Sequence, residues 1–410
     1  MDNLTHTLIG LVAGEVAGRL APADPAGLPA GSRRTTLLAL GIIGGNLPDT
    51  DLLWSMQTFT GDKLGYLLQH RGYTHTLLGC LALAALLYAG CLLWLRLRGQ
   101  RAGPRDRWLL GGFALIAVLL HLGMDAFNSY GVHPFWPWNN RWYYGDAVFI
   151  VEPLYWIAAA PLFFLLRTAK ARVLLALVLA IAGIAILFVH GFAWRWWLIL
   201  LIPPVLVMLG RRVKPLHACL TSAALMVLVT LVFASSAAVA SHRVDEAGRD
   251  RAGFQTLDRV LTPSPAQPFC WDVLLLQRRD DQYVVRRGRL NIGISSLCPA
   301  VLSGKGTAPM RSVPSTGQAA SSGLQWTGEF TMSRTRLAVL AQRTCATREL
   351  MQFVRAPFAA QTQAGWVLGD LRFDREPGPG LAELLVTGAN AADCRYGAPW
   401  VAPRADLLDR

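Results

Sequence analysis

His121 and Asp125 form the pair of residues whose spacing first indicates chemistry. They stand four residues apart at the end of an apolar run, so on a helix both side chains lie on one face. An imidazole and a carboxylate at the edge of a lipid-soluble helix are costly unless a cation or an opposite charge compensates them. The spacing therefore predicts that His121 and Asp125 are ligands of a divalent metal.

A second polar group lies just before another apolar run, in the segment His-Arg-Gly-Tyr-Thr-His from His70 to His75. Both histidines are suitable metal ligands, and Gly72 permits the tight backbone that a turn between them requires. Arg71 cannot bind a metal, but its planar guanidinium can hold a phosphate or a carboxylate. We expect His70 and His75 at the metal and Arg71 at the anionic part of a substrate.

Two aspartates, Asp49 and Asp51, close a further apolar run directly after Pro48. A proline that ends a helix lets both carboxylates turn toward one cation or bridge two. Carboxylates at a helix C-terminus oppose the helix dipole, which disfavours a merely solvated helix end. We predict both as metal ligands and Asp49 also as a catalytic residue.

His6 is the seventh candidate metal ligand and lies near the start of the first apolar run. Like each of the other candidates, it also has an ordinary explanation when taken singly. Polar residues gather at membrane interfaces, and the neighbouring Asn3 or Thr5 can simply cap the helix. The metal interpretation is favoured for the set as a whole, because ionisable groups in membrane segments are usually functional.

The composition indicates an integral membrane protein. The chain has 410 residues, of which 53% are hydrophobic and 16% charged, and its mean hydropathy is +0.35. Only ten of the 26 acidic residues precede residue 241. This uneven distribution indicates a membrane part before that residue and a water-soluble part after it. Basic residues that border membrane helices explain the net charge of +13 better than nucleic-acid binding does, so we expect the lipid bilayer and no nucleic acid as partner.

Eight apolar runs precede residue 241, and several approach the ~20 residues that a bilayer crossing needs. The runs are 4–20, 36–54, 76–95, 108–127, 147–166, 173–190, 196–209 and 216–240. The first carries Glu15 and the seventh contains Pro203 and Pro204, so either could be a partial or re-entrant segment. Residues 1–240 are thus predicted to form an α-helical multi-pass membrane domain of about seven or eight hydrophobic helices.

The basic residues also predict an orientation. One set of alternate loops holds fourteen Lys and Arg residues and the other holds four, which points the richer set to the cytoplasm. Every candidate ligand, and everything after residue 241, then falls on the opposite side. We expect a protein of the bacterial inner membrane with its site and C-terminal domain on the periplasmic side.

The sequence pattern of residues 269–410 is typical of a small, mainly β soluble domain. The pattern of residues 241–268 is typical of a polar linker. The predicted strands are 271–277, 283–294, 324–332, 337–342, 366–373 and 384–387, with a helix at 347–353. Four cysteines lie in this domain: Cys270, Cys298, Cys345 and Cys394. They predict two disulfides in any of three connectivities, with four reduced thiols as the alternative.

Five motifs in fixed order resemble those of the LexA-regulated, membrane-bound metal-dependent hydrolases of the YdjM type. They are Met1-Asp-Asn-Leu-Thr-His6, Pro48-Asp-Thr-Asp51, His70-Arg-Gly-Tyr-Thr-His75, His121-Leu-Gly-Met-Asp125 and Tyr130-Gly131. The resemblance covers about residues 1–155 and leaves out the C-terminal domain. That family is distantly similar to zinc-dependent phospholipase C and the single-strand-specific zinc nucleases, which are α-helical enzymes with clustered zinc ions.

The resemblance implies a ligand set in the same order along the chain. It comprises His6, Asp49 or Asp51, His70 or His75, and His121 with Asp125. Those zinc enzymes complete a third metal site with a His-x-x-x-Glu, which is missing here after Asp125; His133 or Glu152 would have to substitute.

Seven candidate ligands exceed what one tetrahedral catalytic zinc uses, so we expect two divalent ions, most simply zinc. Zinc lowers the pKa of bound water to ~7, and the hydroxide so formed would attack an ester while the second ion steadies the leaving oxygen. The expected function is hydrolysis of an ester or phosphodiester in a lipid or envelope component. A metal or solute transporter, or a non-catalytic membrane scaffold with a structural metal site, is the alternative, although transport sites generally lie near mid-membrane.

Overall fold

The computed structural model divides the chain into two compact units, each built from separate segments. The first comprises Met1–Thr50, Thr74–Asn128 and Val148–Ala234, and the second comprises Asp51–Tyr73, Ser129–Ala147 and Ser235–Arg410. The structure describes residues 1–22, 24–55, 63–190, 197–293, 298, 306–313, 323–374, 380–386, 394 and 396–408. The second unit therefore includes two segments from the N-terminal half of the chain.

The first unit is helical. Its helices are Asn3–Leu20, Ala30–Gly44, Leu77–Leu97, Pro104–Ala126, Pro153–Ala158, Ala169–Val189, Ile202–Arg212 and the first part of Pro215–Arg249, with 3-10 turns at Pro48–Asp51, Tyr73–His75, Ala160–Leu165 and Leu198–Leu201. Within the described residues, four helices are long and apolar enough to cross a membrane: Leu77–Leu97, Pro104–Ala126, Ala169–Val189 and Pro215–Arg249. The helical character is confirmed, with four candidate membrane spans among the described residues, whereas the count of seven or eight is not.

Prolines account for two of the shorter segments. The run at 147–166 forms the helix Pro153–Ala158 and the 3-10 turn Ala160–Leu165, with a proline near the start of each. The run at 196–209 yields a 3-10 turn and then the 11-residue helix Ile202–Arg212. Proline fits the first turn of a helix but interrupts its interior, so each run is divided into pieces too short to span a bilayer.

The first two helices pack backbone against backbone at Gly10 and Gly41. A β-carbon on either glycine would collide with the carbonyl group of the other. The same packing sets the main chain of His6 beside Gly45, at the end of the helix Ala30–Gly44. The charge of buried Glu15 is balanced by ion pairs with arginines of both helices, Arg19 and Arg34.

The second unit is mainly β, as predicted. Its strands are β1 Gln255–Ser264, β2 Gln267–Arg279, β3 Gln282–Asn291, β4 Arg311–Ser312, β5 Leu324–Ser333, β6 Pro357–Thr362, β7 Gly365–Asp370 and β8 Glu383–Val386. An antiparallel five-stranded sheet has the order β1-β2-β3-β5-β4, and a separate antiparallel sheet has the order β6-β7-β8. The unit also contains the helices Leu52–Ser55, Lys63–Gln69, Arg334–Ala341 and Cys345–Met351 and the 3-10 turn Ala405–Leu407.

Two predictions for this region are wrong. The supposed linker at 241–268 is the end of the helix Pro215–Arg249 followed by strand β1, because polar residues suit the solvated face of either element. The supposed strand at 337–342 belongs to the helix Arg334–Ala341, which Ser333 caps. A short apolar run fits a helix or a strand equally well, and here the cap decides. The helix predicted at 347–353 is observed as Cys345–Met351.

The segments 51–73 and 129–147 share the hydrophobic core of the β region. Leu64, Leu67 and Leu68 from the first segment, and Tyr130 and Trp142 from the second, are buried in the same cluster as the strands and helices after residue 254. The disulfides of this unit are Cys270–Cys298 and Cys345–Cys394, which confirms the prediction of two and selects one of the three connectivities. Because these apolar side chains are buried in the same core as the β strands, the two segments fold as part of the second unit.

Candidate metal centre

Four of the predicted ligands converge in the first unit: Asp49, His75, His121 and Asp125. Asp49 comes from the turn Pro48–Asp51, His75 from the turn Tyr73–His75, and the other two from the end of the helix Pro104–Ala126. All four residues are buried, and one donor atom from each lies within 4.8 Å of the others. The four-apart spacing does place His121 and Asp125 on one face, as predicted.

Five of the six separations between these donor atoms match those around a tetrahedral zinc ion. The two histidine Nε2 atoms are 3.0 Å apart, and Oδ2 of Asp125 lies 3.3 Å from His75 Nε2 and 3.5 Å from His121 Nε2. Oδ1 of Asp49 lies 3.4 Å from His75 Nε2 and 3.5 Å from His121 Nε2. Bonds of about 2.0–2.1 Å to zinc place the ligand atoms of a tetrahedron about 3.3–3.4 Å apart. The donor set therefore fits a zinc-sized divalent cation.

The hydrogen bond of His121 fixes which of its nitrogens faces this group. Its Nδ1 lies 2.7 Å from the carbonyl oxygen of Gly45, which can only accept, so Nδ1 carries the proton. The neutral ring then presents the Nε2 lone pair to His75 and to the two carboxylates. Nitrogen lone pairs and carboxylate oxygens repel one another in a buried site, and a cation among them relieves that repulsion.

His75 and Asp49 have supporting partners of their own. The hydroxyl of Thr74 lies 3.0 Å from Nδ1 of His75, and the amide of Asn3 donates to Oδ2 of Asp49 over 3.1 Å. Burial by itself would raise the pKa of Asp49, whereas protonated His121 and His75 would lower it well below its ordinary value through hydrogen bonds and charge. A bound cation would supply that positive charge in their place while both imidazoles stay neutral.

His6 lies beside the four-residue group. Its Nε2 is 3.3 Å from Oδ1 of Asp125, and its ring stacks on that of His121 with the ring centres 3.8 Å apart. The main-chain nitrogen of Met1 contacts the same Asp125 oxygen. His6 thus orients two of the four converging residues, and its own role as a ligand stays a prediction.

The remaining predicted site residues, Asp51, His70 and Arg71, lie in the second unit. Nδ1 of His70 donates to Oδ1 of Asp51 over 2.9 Å, and the backbone N–H of Arg71 donates to Oδ2 over 2.8 Å. The guanidinium of Arg71 lies over the ring of Tyr130, 4.9 Å from its centre. All three predicted residues are buried, so neither histidine of the motif is a merely solvated interfacial residue.

Two residues that the sequence offered as further ligands have other contacts. Glu152 caps the helix Pro153–Ala158 by accepting from the N–H of Leu154. Nδ1 of His133 donates to the carbonyl of Arg71 in the second unit. The supporting Gly45, Thr74 and Asn3 were missed as site residues. Only Thr74 could have been found from the sequence, because it directly precedes the predicted ligand His75. A contact through a backbone carbonyl, such as that of Gly45, cannot be recognised from the residue type.

The comparison with protein families agrees with these motifs. Residues 1–196 match the model of the YdjM inner membrane protein family. The matched part, the YdjM region, covers just under half of the chain. The resemblance drawn from the motifs is confirmed at that level, and all four converging residues lie in the YdjM region. The YdjM description and the four apolar helices support an inner-membrane location.

A curated relative shares part of the YdjM region. The uncharacterized protein YfhP of Bacillus subtilis (strain 168) is 27% identical over 144 residues, which are 35% of this chain and 39% of the relative. The match thus spans well under half of the relative's length. No solved structure matches the chain. The YdjM region ends at residue 196, so the β strands of the second unit lie beyond it.

Proposed function

We propose that this protein is a membrane-bound, metal-dependent hydrolase that cleaves an ester or phosphodiester in a lipid or envelope component. The observation that supports the proposal most is the set of four buried donor atoms with tetrahedral spacing. In this proposal His75, His121 and Asp125 hold a divalent cation, most simply zinc. A bound cation of this kind lowers the pKa of water and polarises an ester oxygen.

Asp49 is assigned the catalytic role in this proposal. Its side chain is 7% exposed, whereas the side chains of His75, His121 and Asp125 are 0% exposed, so solvent reaches the group at Asp49. Asn3 occupies Oδ2 of Asp49, which leaves Oδ1 on the side of the two histidines. Oδ1 would accept the proton of the attacking water as a general base.

Arg71 is assigned to the anionic part of the substrate. Its guanidinium stays charged at every physiological pH and can bind two phosphate oxygens at once. Asp51 and His70 would hold the second cation. Their hydrogen bond leaves Nε2 of His70 as the lone-pair nitrogen of the neutral ring, as a ligand requires.

The cysteines support a periplasmic compartment for this proposal. The second unit contains two disulfides, whereas Cys80, Cys91 and Cys219 are buried and remain thiols. Disulfides persist in oxidising compartments such as the periplasm. Together with the excess of basic residues in alternate loops, this supports a periplasmic C-terminal region and a periplasmic site.

Metal analysis of purified full-length protein tests the proposal. We expect about one or two zinc ions per wild-type chain, a loss of metal in Asp125→Ala and His75→Ala, and full retention in His242→Ala, whose side chain is 73% exposed. Hydrolysis of bis-p-nitrophenyl phosphate and of a short-chain p-nitrophenyl ester should follow metal content and disappear with a chelator. Unchanged metal in both site variants would remove the metal centre and the hydrolase with it.

A structural metal site is the second candidate, and the donor set itself favours it. Four protein ligands close a tetrahedral zinc, whereas catalytic zinc keeps one position for water. Asp49→Asn separates the two roles. A hydrolase would keep its metal and lose at least about 100-fold in kcat, the lower end of the range for one acid–base group. A structural site would show no hydrolysis in the wild type and a lower melting temperature after chelation.

A further inference from the structure

Arg71 has a backbone conformation that needs outside support. Its φ of 60° lies in the left-handed region, which residues other than glycine rarely adopt. Two hydrogen bonds hold the peptide groups on either side of it. The N–H donates to Asp51 over 2.8 Å, and the carbonyl accepts from Nδ1 of His133 over 3.2 Å. The direction of the Arg71 side chain therefore depends on the position of His133.

His133 is held between two indole rings. The ring of Trp400 stacks on it with the centres 3.7 Å apart and the planes 21° from parallel. The ring of Trp142 contacts it with the centres 3.8 Å apart and a tilt of 53°. His133 is 0% exposed, so no water competes with these contacts. The imidazole can shift only if one of the indoles shifts.

Trp400 also contacts the segment that carries Arg71. Its Nε1 donates to the carbonyl of Leu68 over 2.7 Å. A β-carbon on Gly72 would come within 3.0 Å of its ring, so the indole packs directly on the backbone that follows Arg71. Trp400 is 2% exposed and lies more than 200 residues beyond the end of the family match at residue 196. A residue from outside that region thus contacts the backbone on both sides of Arg71.

Further contacts within the second unit tie segment 129–147 to the β region. Arg372 donates to the carbonyl of Ser129 over 2.6 Å, and Nε1 of Trp142 donates to the carbonyl of Gln352 over 2.7 Å. The N–H of Val401 donates to the carbonyl of Asn140 over 3.0 Å. The segment that supplies His133 is therefore anchored near its start and in its second half.

We infer that Trp400 is a positioning residue for Arg71, and that the C-terminal β region orders the Arg71 segment through it. Trp400 holds the ring of His133 in place, and His133 in turn holds the carbonyl of Arg71 by a hydrogen bond. These contacts orient the guanidinium of Arg71 to bind the anionic group of the substrate. The structural part of this inference stands on contacts inside the second unit. Its consequence for substrate binding rests on the proposed function.

Tryptic cleavage after Arg71 tests the ordering without reference to activity. Arg71 is 3% exposed, so trypsin cuts there only when the segment opens, and the cleavage rate reports the population of the open form. In full-length protein in detergent, we expect Trp400→Ala to raise the rate at Arg71 at least tenfold. Cleavage at the exposed Arg98 should stay unchanged and serves as the internal reference.

Two further variants separate positioning from a general loss of stability. Trp400→Phe keeps a ring against His133 but cannot donate to Leu68, so it should fold and raise the rate at Arg71 by a smaller factor. Trp366→Ala removes an indole from strand β7 of the same unit and should leave the Arg71 rate at the wild-type value. Equal rates at Arg71 in wild type and both Trp400 variants, or equal increases in Trp400→Ala and Trp366→Ala, would overturn the inference.

Kinetics then tests the functional consequence. For a phosphodiester substrate, Trp400→Phe should raise KM severalfold with metal content unchanged and kcat nearly unchanged, while the KM for a neutral ester should not move. An equal change in KM for both substrates would overturn the role in anion binding. A wild-type protein without hydrolytic activity would refute the proposed function, whereas the cleavage rates would still decide whether Trp400 orders the segment.

Discussion

The carbonyl oxygen of Gly45 lies 2.7 Å from Nδ1 of His121 and decides which side of that imidazole faces the buried carboxylates. The contact joins the end of the helix Ala30–Gly44 to the end of the helix Pro104–Ala126. Outer contacts of this kind orient metal-binding histidines and raise their basicity. The residues behind the four donor atoms should therefore govern metal affinity almost as strongly as the donors do.

Thr74→Val should weaken metal binding about 10–100-fold, the usual loss when an outer hydrogen bond to a ligand is removed. The variant keeps the shape of the side chain and deletes only the hydroxyl that lies 3.0 Å from Nδ1 of His75. Competition with a chromogenic zinc chelator gives the dissociation constant. Thr74→Ser retains the hydroxyl and should bind metal like the wild type; equal affinity of all three proteins would show that this contact is irrelevant to the metal.

Arg355→Met should destabilise the second unit by about 3–5 kcal/mol, because it leaves buried carboxylates without their partner. The guanidinium is 6% exposed and pairs with Asp146 over 2.8 Å and with Asp258 over 2.9 Å. The matched control is Arg259→Met, which breaks a pair with Asp245 whose members are 38% and 35% exposed and should cost less than about 1 kcal/mol. Thermal unfolding in detergent compares them, and similar melting temperatures would contradict the prediction.

Glu383 should make the second unit less stable as the pH rises from about 4.5 through 7. Burial is the main cause that raises the pKa of this carboxyl to about 7, and the nearby charge of Asp374 adds to it against the opposing N–H of Gly380. Between its unfolded and folded pKa values the folded state binds more protons, so the free energy of unfolding falls as the pH increases. After allowance for solvent screening, the loss should be roughly 1–2 kcal/mol.

Glu383→Gln provides the check on that pH dependence. Glutamine resembles the protonated acid and does not titrate, so the variant should be more stable than the wild type at pH 8 and should lack this slope. Denaturant unfolding between pH 4 and pH 8 measures both curves. Parallel curves for the two proteins would assign the pH dependence to other groups.

A maleimide-polymer gel shift should count three reactive cysteines in the denatured, unreduced protein and seven after reduction. The three are Cys80, Cys91 and Cys219, and the other four form the two disulfides. Removal of Cys345–Cys394, which closes a separation of 49 residues, should destabilise the second unit by about 2–4 kcal/mol. Seven reactive thiols in unreduced protein taken directly from membranes would contradict both the pairing and the periplasmic location.

Helical spacing made part of the metal centre predictable. His121 and Asp125 share a helix, and the fixed geometry of that helix places residues four apart on one face whatever the rest of the chain does. The convergence of His75 with His121, 46 residues away in sequence, depends on how the helices pack. The backbone approach at Gly10 and Gly41 is one such packing feature, and no spacing rule states it.

The distribution of the seven candidates over the two units was not predictable. His70 and His75 are five residues apart in one motif. His75 is one of the four donors in the first unit, whereas His70 forms a hydrogen bond with Asp51 in the second unit. A turn of a few residues can send neighbouring side chains in different directions, because its backbone angles vary far more than those of a helix. The left-handed φ of Arg71 is such a turn angle.

The sequence by itself determined the apolar helices, the change to β structure and the ligand types, and it predicted two disulfides. Each follows from local composition or from a short, regular repeat along the chain. Tertiary structure alone decided which four ligands meet, which cysteines pair, and that the β region encloses the segment around Arg71 with Trp400. Those choices join residues far apart in sequence, and close packing of side chains selects among partners that composition leaves equivalent.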